Sequence, residues 1–343
     1  MGYYDGMKAL VYADKEKMEI RDVPKPAIGP DDILMKVKSV GICGTDLHIY
    51  RGGLDIPRGT IPGHEFSGIV TEVGKKVTNV QKGDRAVAEH VVSCGKCDYC
   101  KMGKPNLCGH SKIIGLHLSG ALAKYVRVPA NLVYPFPNSM TFDEAALIEP
   151  LSIALYAARE AGFLLDKRIA VLGQGPIGLL LDQVLAAAGA LVTGIDVRPN
   201  TLAFAKKMGW AHHTINSRLQ NLRARMKEIK SADGFDMVFE AVGIEKTAEL
   251  AFDITRRDGN VYLLGVFSAP VRINMMNIIK KELNIHGSWT CAFSFPDSID
   301  LVARKKVDLK SLITHTYPFA NAVTAFKEAN SYTHNRLKTI IKL

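Results

Sequence analysis

The chain has 343 residues, 47% of them hydrophobic and 23% charged. That balance is ordinary for a globular protein, and the length suits two cores better than one. No apolar run approaches the roughly 20 residues that cross a bilayer, and the opening MGYYDGMKALVY carries neither the basic nor the apolar region of a secretion signal. A cytoplasmic location with no membrane partner is expected. The formal charge of +10 comes from dispersed Lys and Arg, with short clusters only at 223–230 and 304–306. Solvated helix faces account for both clusters, so no nucleic-acid partner is expected, although the positive field can draw an anionic cofactor or a phosphorylated substrate.

Residues Met1 to Gly6 read as an extension ahead of a first strand near Met7. From Met7 to Val40 the pattern alternates and is broken by PKPAIGPDD, where Pro24, Pro26, Gly29 and Pro30 mark a turn; two antiparallel strands are expected. The run ILMKVKSVGICG carries a strand into Cys43. A lone cysteine at a strand end is either a small buried hydrophobe or a metal ligand, and its partners decide which. In PGHEFSGI, His64 and Glu65 adjoin each other ahead of another strand. Imidazole, carboxylate and thiolate together form a three-ligand zinc set that leaves a position for water or substrate. Six cysteines occur in all, and four of them, Cys94, Cys97, Cys100 and Cys108, fall in SCGKCDYCKMGKPNLCG. Without a secretion signal this C-x2-C-x2-C-x7-C spacing points to metal rather than to disulfides. Four thiolates close a tetrahedron around structural zinc; an iron–sulfur cluster is the less favoured alternative. So little apolar content surrounds these cysteines that the lobe is expected to depend on its ion for order.

GALAKYVRVPANLVYPFP returns to strand alternation, and TFDEAALIEP opens a helix with Thr141 as N-cap and Glu144 at the capping-box position. Glu149 is a carboxylate in an apolar run, costly to bury unless paired or coordinated, and Pro150 after it is expected to hold its backbone extended. Helix continues over 153–161. VLGQGPIG then sets Gly173, Gly175 and Gly178 in G-x-G-x-x-G spacing between a strand at 168–172 and a helix at 177–188. The first glycine permits the tight turn, the second lets backbone approach a pyrophosphate, and the third lets helix pack on strand. The motif alone is weak, because turns need glycine for other reasons; the strand–turn–helix context makes it a dinucleotide signal. Asp196, ending a strand over 191–195, sits where a carboxylate accepts the ribose hydroxyls and repels a 2′-phosphate, so NAD is expected. Arg198, two residues on, is a guanidinium able to accommodate that phosphate. FDMVFEAVG with a strand at 236–240, NVYLLGV with a strand ending at Gly265, and ELNIHGSW add to a parallel sheet of about six strands. From Phe295 a helix, LITHTYPF, the helix NAVTAFKEANSY and the strand KTIIKL are expected to fold back onto the first domain.

The succession VGICGTDLH, PGHEFSG, the four-cysteine lobe, EPLS, VLGQGPIG and LITHTYPF resembles the zinc-dependent medium-chain dehydrogenases from Met7 to Leu343. It is most similar to their polyol (sorbitol-type) and threonine dehydrogenase branch. The resemblance implies an α/β fold: a GroES-like β-rich catalytic domain over 1–152 with a zinc lobe at about 90–110, a Rossmann doubly wound parallel sheet over 153–291, and a return at 292–343, with the active site in the cleft. It implies two Zn2+ per chain. Cys43, His64 and Glu65 would hold the catalytic ion, with Glu149 as fourth ligand or as partner of zinc-bound water, and the four lobe cysteines would hold the structural one. Asp46 would hydrogen-bond the far nitrogen of His64. Thr45 and His48 stand at the family's proton-relay positions; their alternative readings are a hydroxyl bonded to backbone and a helix-surface imidazole. Pro176, Ile177, Leu264, Gly265, Val266 and Trp289 would join the motif glycines, Asp196 and Arg198 around the cofactor. Cys291 matches no ligand position and reads as a packed thiol.

The implied reaction transfers hydride from a secondary alcohol of a polyol, cyclitol or sugar-derived substrate to NAD, in a homo-oligomer, dimer or tetramer. The sequence divides on substrate. EPLSIALYAAREAG is closer to sorbitol-type enzymes, His90 resembles the threonine branch, and Thr290 and Cys291 stand where sorbitol-type enzymes carry an Arg-Tyr pair. L-threonine 3-dehydrogenase is therefore the alternative activity. A non-catalytic dinucleotide-binding relative is disfavoured because such proteins are expected to lack the ligands at 43, 64 and 65.

Overall fold

In the computed structural model, which describes residues 6–331 and 336–343, the expected pair of early strands is three. β1 (Gly6–Asp14) and β2 (Lys17–Pro24) form an antiparallel hairpin of their own, and β3 (Asp32–Gly41) enters a different sheet. The hairpin turn was illegible because it contains no Gly, Pro or Asn: Glu16 supplies the left-handed residue, with φ 57°. The strand starts at Gly6, and the remainder of the anticipated N-terminal extension lies outside the described residues.

After β3 come α1 (Gly44–Tyr50), β4 (Glu65–Val73), β5 (Arg85–Ala88), the short β6 (Val91–Val92), α2 (Asp98–Lys101), β7 (Lys112–Ile113), β8 (Tyr125–Pro129) and β9 (Val133–Pro135). α3 (Phe142–Ala146) begins at the capping box, with the Glu144 N–H donating to Thr141 Oγ1 at 3.2 Å and the Thr141 N–H to Glu144 Oε2 at 2.9 Å. α4 (Ile148–Glu160) follows after a break at Leu147. Glu149 is therefore helical, not extended. Pro150 lies in the first turn, where a missing N–H leaves no intrahelical bond unmade, so the usual restriction on the preceding residue is overridden.

The next segment alternates strictly: β10 (Arg168–Leu172), α5 (Pro176–Ala187), β11 (Leu191–Asp196), α6 (Pro199–Lys207), β12 (His213–Asn216), α7 (Leu222–Glu228), β13 (Phe235–Glu240), α8 (Glu245–Ile254), β14 (Thr255–Leu263), α9 (Met275–Lys281) and β15 (Asn284–Gly287). The chain ends with α10 (Phe295–Ala303), β16 (Ile313–Pro318), α11 (Ala322–Asn330) and β17 (Lys338–Lys342). The anticipated last helix stops at Asn330; its proposed end at Tyr332 lies outside the described residues.

Two compact units result, residues 1–149 with 292–343, and residues 150–291. In the first, a seven-stranded sheet runs β16-β17-β3-β4-β5-β9, with β8 also on β3. β3 is its hub. β8 pairs with residues 32–36 and β17 with residues 39–41, so the C-terminal strand is built into the sheet beside the residues that lead to Cys43. Phe66, Met35, Val40 and Leu122 fill this core together with Ala322 and Phe326 of α11, which explains why the chain end returns here.

In the second unit six parallel strands take the order β12-β11-β10-β13-β14-β15, that of the Rossmann doubly wound sheet. Phe235, Val238, Ile195 and Phe252 lie in its core. The order reverses between β10 and β13, so the loops after β10, β11 and β13 gather at one edge of the sheet, where a dinucleotide binds in this topology. β14 ends at Leu263, two residues short of the expected Gly265. The N–H groups of Leu264 and Gly265 both donate to the Glu240 carbonyl, at 2.9 and 3.0 Å, and pull the chain out of the strand.

Candidate metal and dinucleotide sites

Cys43 is the N-cap of α1, and Glu65 is the first residue of β4, opposite Gly41 on β3. Strand pairing thus delivers residues far apart in sequence to one place: ligand atoms of Cys43, His64 and Glu65 lie within 4.8 Å of one another. His64 and Glu65 are buried at 5% and 1% exposure, so no solvent is available to satisfy them. Glu65 Oε1 is paired with the buried ammonium of Lys338, which also donates to the Ile42 carbonyl at 3.3 Å. Glu65 Oε2 is buried without a hydrogen-bond partner among the described residues. Burial, and then the Glu65 carboxylate, push the Cys43 thiol far up, and burial likewise pushes Glu65 up. The Cys43 thiol and the carboxylates of Asp46, Glu65 and Glu149 lie buried around one lysine and the imidazoles of His64 and His90, and a divalent cation there would favour the thiolate and carboxylate forms that burial disfavours. Thiolate, imidazole and carboxylate are donors that Zn2+ accepts.

Asp46 does not make the hydrogen bond expected of it. Its Oδ1 stands 3.8 Å from His64 Nδ1, while its two oxygens accept the N–H groups of Gly63 at 3.1 Å and Cys43 at 2.9 Å. Backbone donors have claimed the carboxylate, and the result is a tie between the two ligand-bearing segments. Glu149 stands beside the triad with His90: Nδ1 of His90 lies 3.0 Å from Glu149 Oε1, and the imidazoles of His64 and His90 are 5.4 Å apart between centroids. Burial pushes Glu149 up, but the His90 imidazole outweighs it and holds the carboxyl below its ordinary value. Thr45 Oγ1 lies 3.8 Å from Cys43 Sγ. The His48 ring fills the space over Gly53, where an added Cβ would sit 2.0 Å from its Cδ2.

In the lobe, Cys94, Cys97, Cys100 and Cys108 form a second ligand cluster. The sulfurs of Cys97 and Cys100 are 3.5 Å apart and those of Cys94 and Cys100 4.0 Å. The N–H groups of Lys96 and Cys97 hold the Cys94 thiol down at about 6, which favours the metal-binding thiolate.

The glycine turn behaves as its spacing implies. Gly173 has φ 93°, and an added Cβ on Gly178 would meet the Gly173 carbonyl at 1.8 Å. Gly175 caps α5 and would meet only Arg198 Nη2, at 3.9 Å, so its outer side is open to a ligand. Pro176 and Ile177 open the helix behind it. Asp196 accepts the Gln174 N–H at 2.6 Å.

Two family models match the chain: the alcohol dehydrogenase GroES-like domain over residues 29–138 and the zinc-binding dehydrogenase over residues 176–304. A sorbitol dehydrogenase of Bacillus subtilis is 34% identical, covering 98% of this chain and 97% of that protein. An L-idonate 5-dehydrogenase of Vitis vinifera is 31% identical, covering 95% and 92%. Among solved structures, a Sinorhizobium meliloti protein described as a zinc-binding dehydrogenase and bound to NADP superposes with a TM-score of 0.92 at 30% identity, covering 98% and 99%. The chain belongs to the zinc-dependent medium-chain dehydrogenases, in their polyol dehydrogenase branch. It is a zinc-type, NAD(P)-dependent dehydrogenase of that family, with a GroES-like and a Rossmann domain.

In this medium-chain dehydrogenase, Leu264, Gly265, Val266 and Trp289 fall in the loops after β14 and β15, with Val266 and Trp289 exposed. Two residues of the sites escaped the sequence reading. Lys338 lay in a terminal run that read as plain strand, and only the pairing of β17 with β3 brings it to Glu65. Glu240 ends β13 fully buried; its Oε1 accepts the N–H groups of Val242 and Gly243, each at 2.9 Å, and the Thr247 hydroxyl at 2.7 Å, shaping the loop beside Gly265. The signal for both was a charge at the end of an apolar strand, which is also the commonest pattern of an exposed strand end. No helix among the described residues is long and apolar enough to cross a membrane.

Proposed function

We propose that this dehydrogenase oxidises a secondary alcohol of a polyol, cyclitol or sugar-derived substrate, with Cys43, His64 and Glu65 holding the catalytic zinc and the four lobe cysteines a structural one. The observation that carries the reading is the buried, anion-rich convergence of the three ligand side chains, in a chain whose relatives include sorbitol and L-idonate dehydrogenases. When bound, zinc supplies Lewis acidity that lowers the pKa of a substrate hydroxyl. Lys338 and the backbone hold Glu65 in place. Glu149, kept ionised by His90, serves as fourth ligand or accepts a hydrogen bond from water beside the triad. Thr45 Oγ1 would accept the alcohol proton while handing on its own, by way of the nicotinamide ribose, to His48 and solvent. NAD would accept the carbinol hydride when bound; Gly175 and the start of α5 would hold its pyrophosphate, and Leu264, Gly265, Val266 and Trp289 would line its nicotinamide end.

A cytoplasmic homo-oligomer is part of the same reading. The edge strand β15 is exposed along its length beside the exposed Met275, Met276 and Ile279 of α9, a surface that a second copy would cover. L-threonine 3-dehydrogenase is the second reading, and its specific support is His90 placed directly on Glu149.

The test is NADH formation, followed by absorbance, across polyols, cyclitols, sugar acids and L-threonine. Turnover of a polyhydroxy alcohol supports the proposal, turnover of threonine alone replaces it with the second reading, and Cys43→Ala should abolish activity while dinucleotide binding persists. Full activity in Cys43→Ala would refute the metal assignment.

A further inference from the structure

Asp182 stands where the packing of α5 calls for an apolar side chain. Leu179, Leu180, Leu181 and Leu185 of the same helix are buried hydrophobics, and Asp182 is fully buried in the same run. Burial pushes its carboxyl well above the usual range, which keeps it neutral, and the Gln174 amide acts on it in the opposite sense. Gln174, between Gly173 and Gly175, is itself fully buried. Its Oε1 and Nε2 and both Asp182 oxygens lie buried without a well-formed hydrogen bond among the described residues, so each side chain offers the other the chemistry it lacks. A neutral carboxyl donates its O–H to an amide carbonyl and accepts an amide N–H on its other oxygen, whereas an ionised one has no donor.

Gln174 also joins three segments. Its backbone N–H donates to Asp196 Oδ2 at the end of β11, at 2.6 Å. Its amide fills the space beside Gly194 of β11, where an added Cβ would sit 2.7–2.9 Å from the amide carbon, oxygen and nitrogen. Its side chain acts on Asp182 of α5. Of the turn residues Gly173, Gln174 and Gly175, only Gln174 has a side chain with which to anchor the turn. The fold would be served as well by Met at 174 and Leu at 182, which fill similar space without burying four polar atoms. An acid and an amide at these positions cost stability, and they do so directly under the turn that meets the cofactor.

We infer that Asp182 and Gln174 are positioning residues for the dinucleotide: paired beneath the glycine turn, they fix its backbone in the conformation that receives the pyrophosphate. The inference rests on the reading of residues 173–198 as the dinucleotide site.

Equilibrium titration of the full chain with NAD+, beside thermal unfolding without it, tests the pairing. The double variant Gln174→Met/Asp182→Leu should keep or raise Tm and yet bind NAD+ about tenfold or more weakly, because the turn is no longer preorganised. Asp182→Leu alone should weaken binding to a similar degree. Asp182→Asn, whose amide still donates to and accepts from Gln174, should bind within about threefold of wild type. Near wild-type affinity in the double variant, a fall in its Tm alongside the loss of affinity, or Asp182→Asn binding as weakly as Asp182→Leu would each overturn the inference. Failure of the wild type to bind NAD+ would instead overturn the dinucleotide site itself, and with it the inference.

Discussion

Replacing Lys338 by Met tests the electrostatic account of the metal centre most directly. Lys338 and Glu65 are 95% or more buried and paired with each other, so the substitution leaves a buried carboxylate without its cation. Removing one partner of such a pair costs about 3–5 kcal/mol. At about 2–4 °C per kcal/mol for a domain of this size, the metal-free protein should lose about 6–20 °C in Tm. Zinc on Cys43, His64 and Glu65 would supply positive charge to the same carboxylate, so the loss in zinc-replete protein should be markedly smaller. Thermal unfolding of wild type and Lys338→Met, each with zinc and after chelation, reads the difference; removal of lobe zinc affects both proteins alike. The double variant Glu65→Gln/Lys338→Met, which buries no charge at either position, should recover much of the stability lost by Lys338→Met. A loss below about 1 kcal/mol, or one equal with and without zinc, would refute the reasoning.

Three further outcomes are expected. Cys97→Ser should lower zinc content by about one ion per chain and open residues 94–108 to protease, and in chelated protein Cys94, held at about 6, should be alkylated at pH 7 before Cys97, which is raised to about 11; mass spectrometry of the peptides checks both. Thr141→Ala removes the hydroxyl that accepts the Glu144 N–H and should cost about 1 kcal/mol in denaturant unfolding. Asp182 lies fully buried in α5, and burial holds its carboxyl well above the usual range. Its folded pKa exceeds its unfolded value near 3.9, so the native state binds the extra proton; stability is full below about pH 4 and falls by up to about 1.4 kcal/mol per unit as pH rises toward the folded value. Asp182→Asn should therefore gain progressively on wild type as pH rises from about 4, and a difference that does not change with pH would contradict the burial account.

The sequence by itself determined whatever is local. Strand–turn–helix succession, glycine spacing and the terminal carboxylate defined the Rossmann unit, because each is a short-range steric or hydrogen-bonding requirement written in adjacent residues. The cysteine spacing defined the lobe for the same reason, and Thr141 with Glu144 defined the start of α3. Tertiary structure decided the rest. The β1–β2 turn depends on a left-handed Glu16, which composition does not mark. Glu149 became helical because its proline fell in a first turn. Asp46 gave its oxygens to the backbone of two separate segments, and His90 found Glu149 across 59 positions of chain, from 90 to 149. The pairing of β17 with β3 joined Lys338 to Glu65. A charge in sequence shows only that it must be satisfied if buried; which charge satisfies it depends on strand pairings hundreds of residues apart, and those are fixed by the packing of the whole sheet.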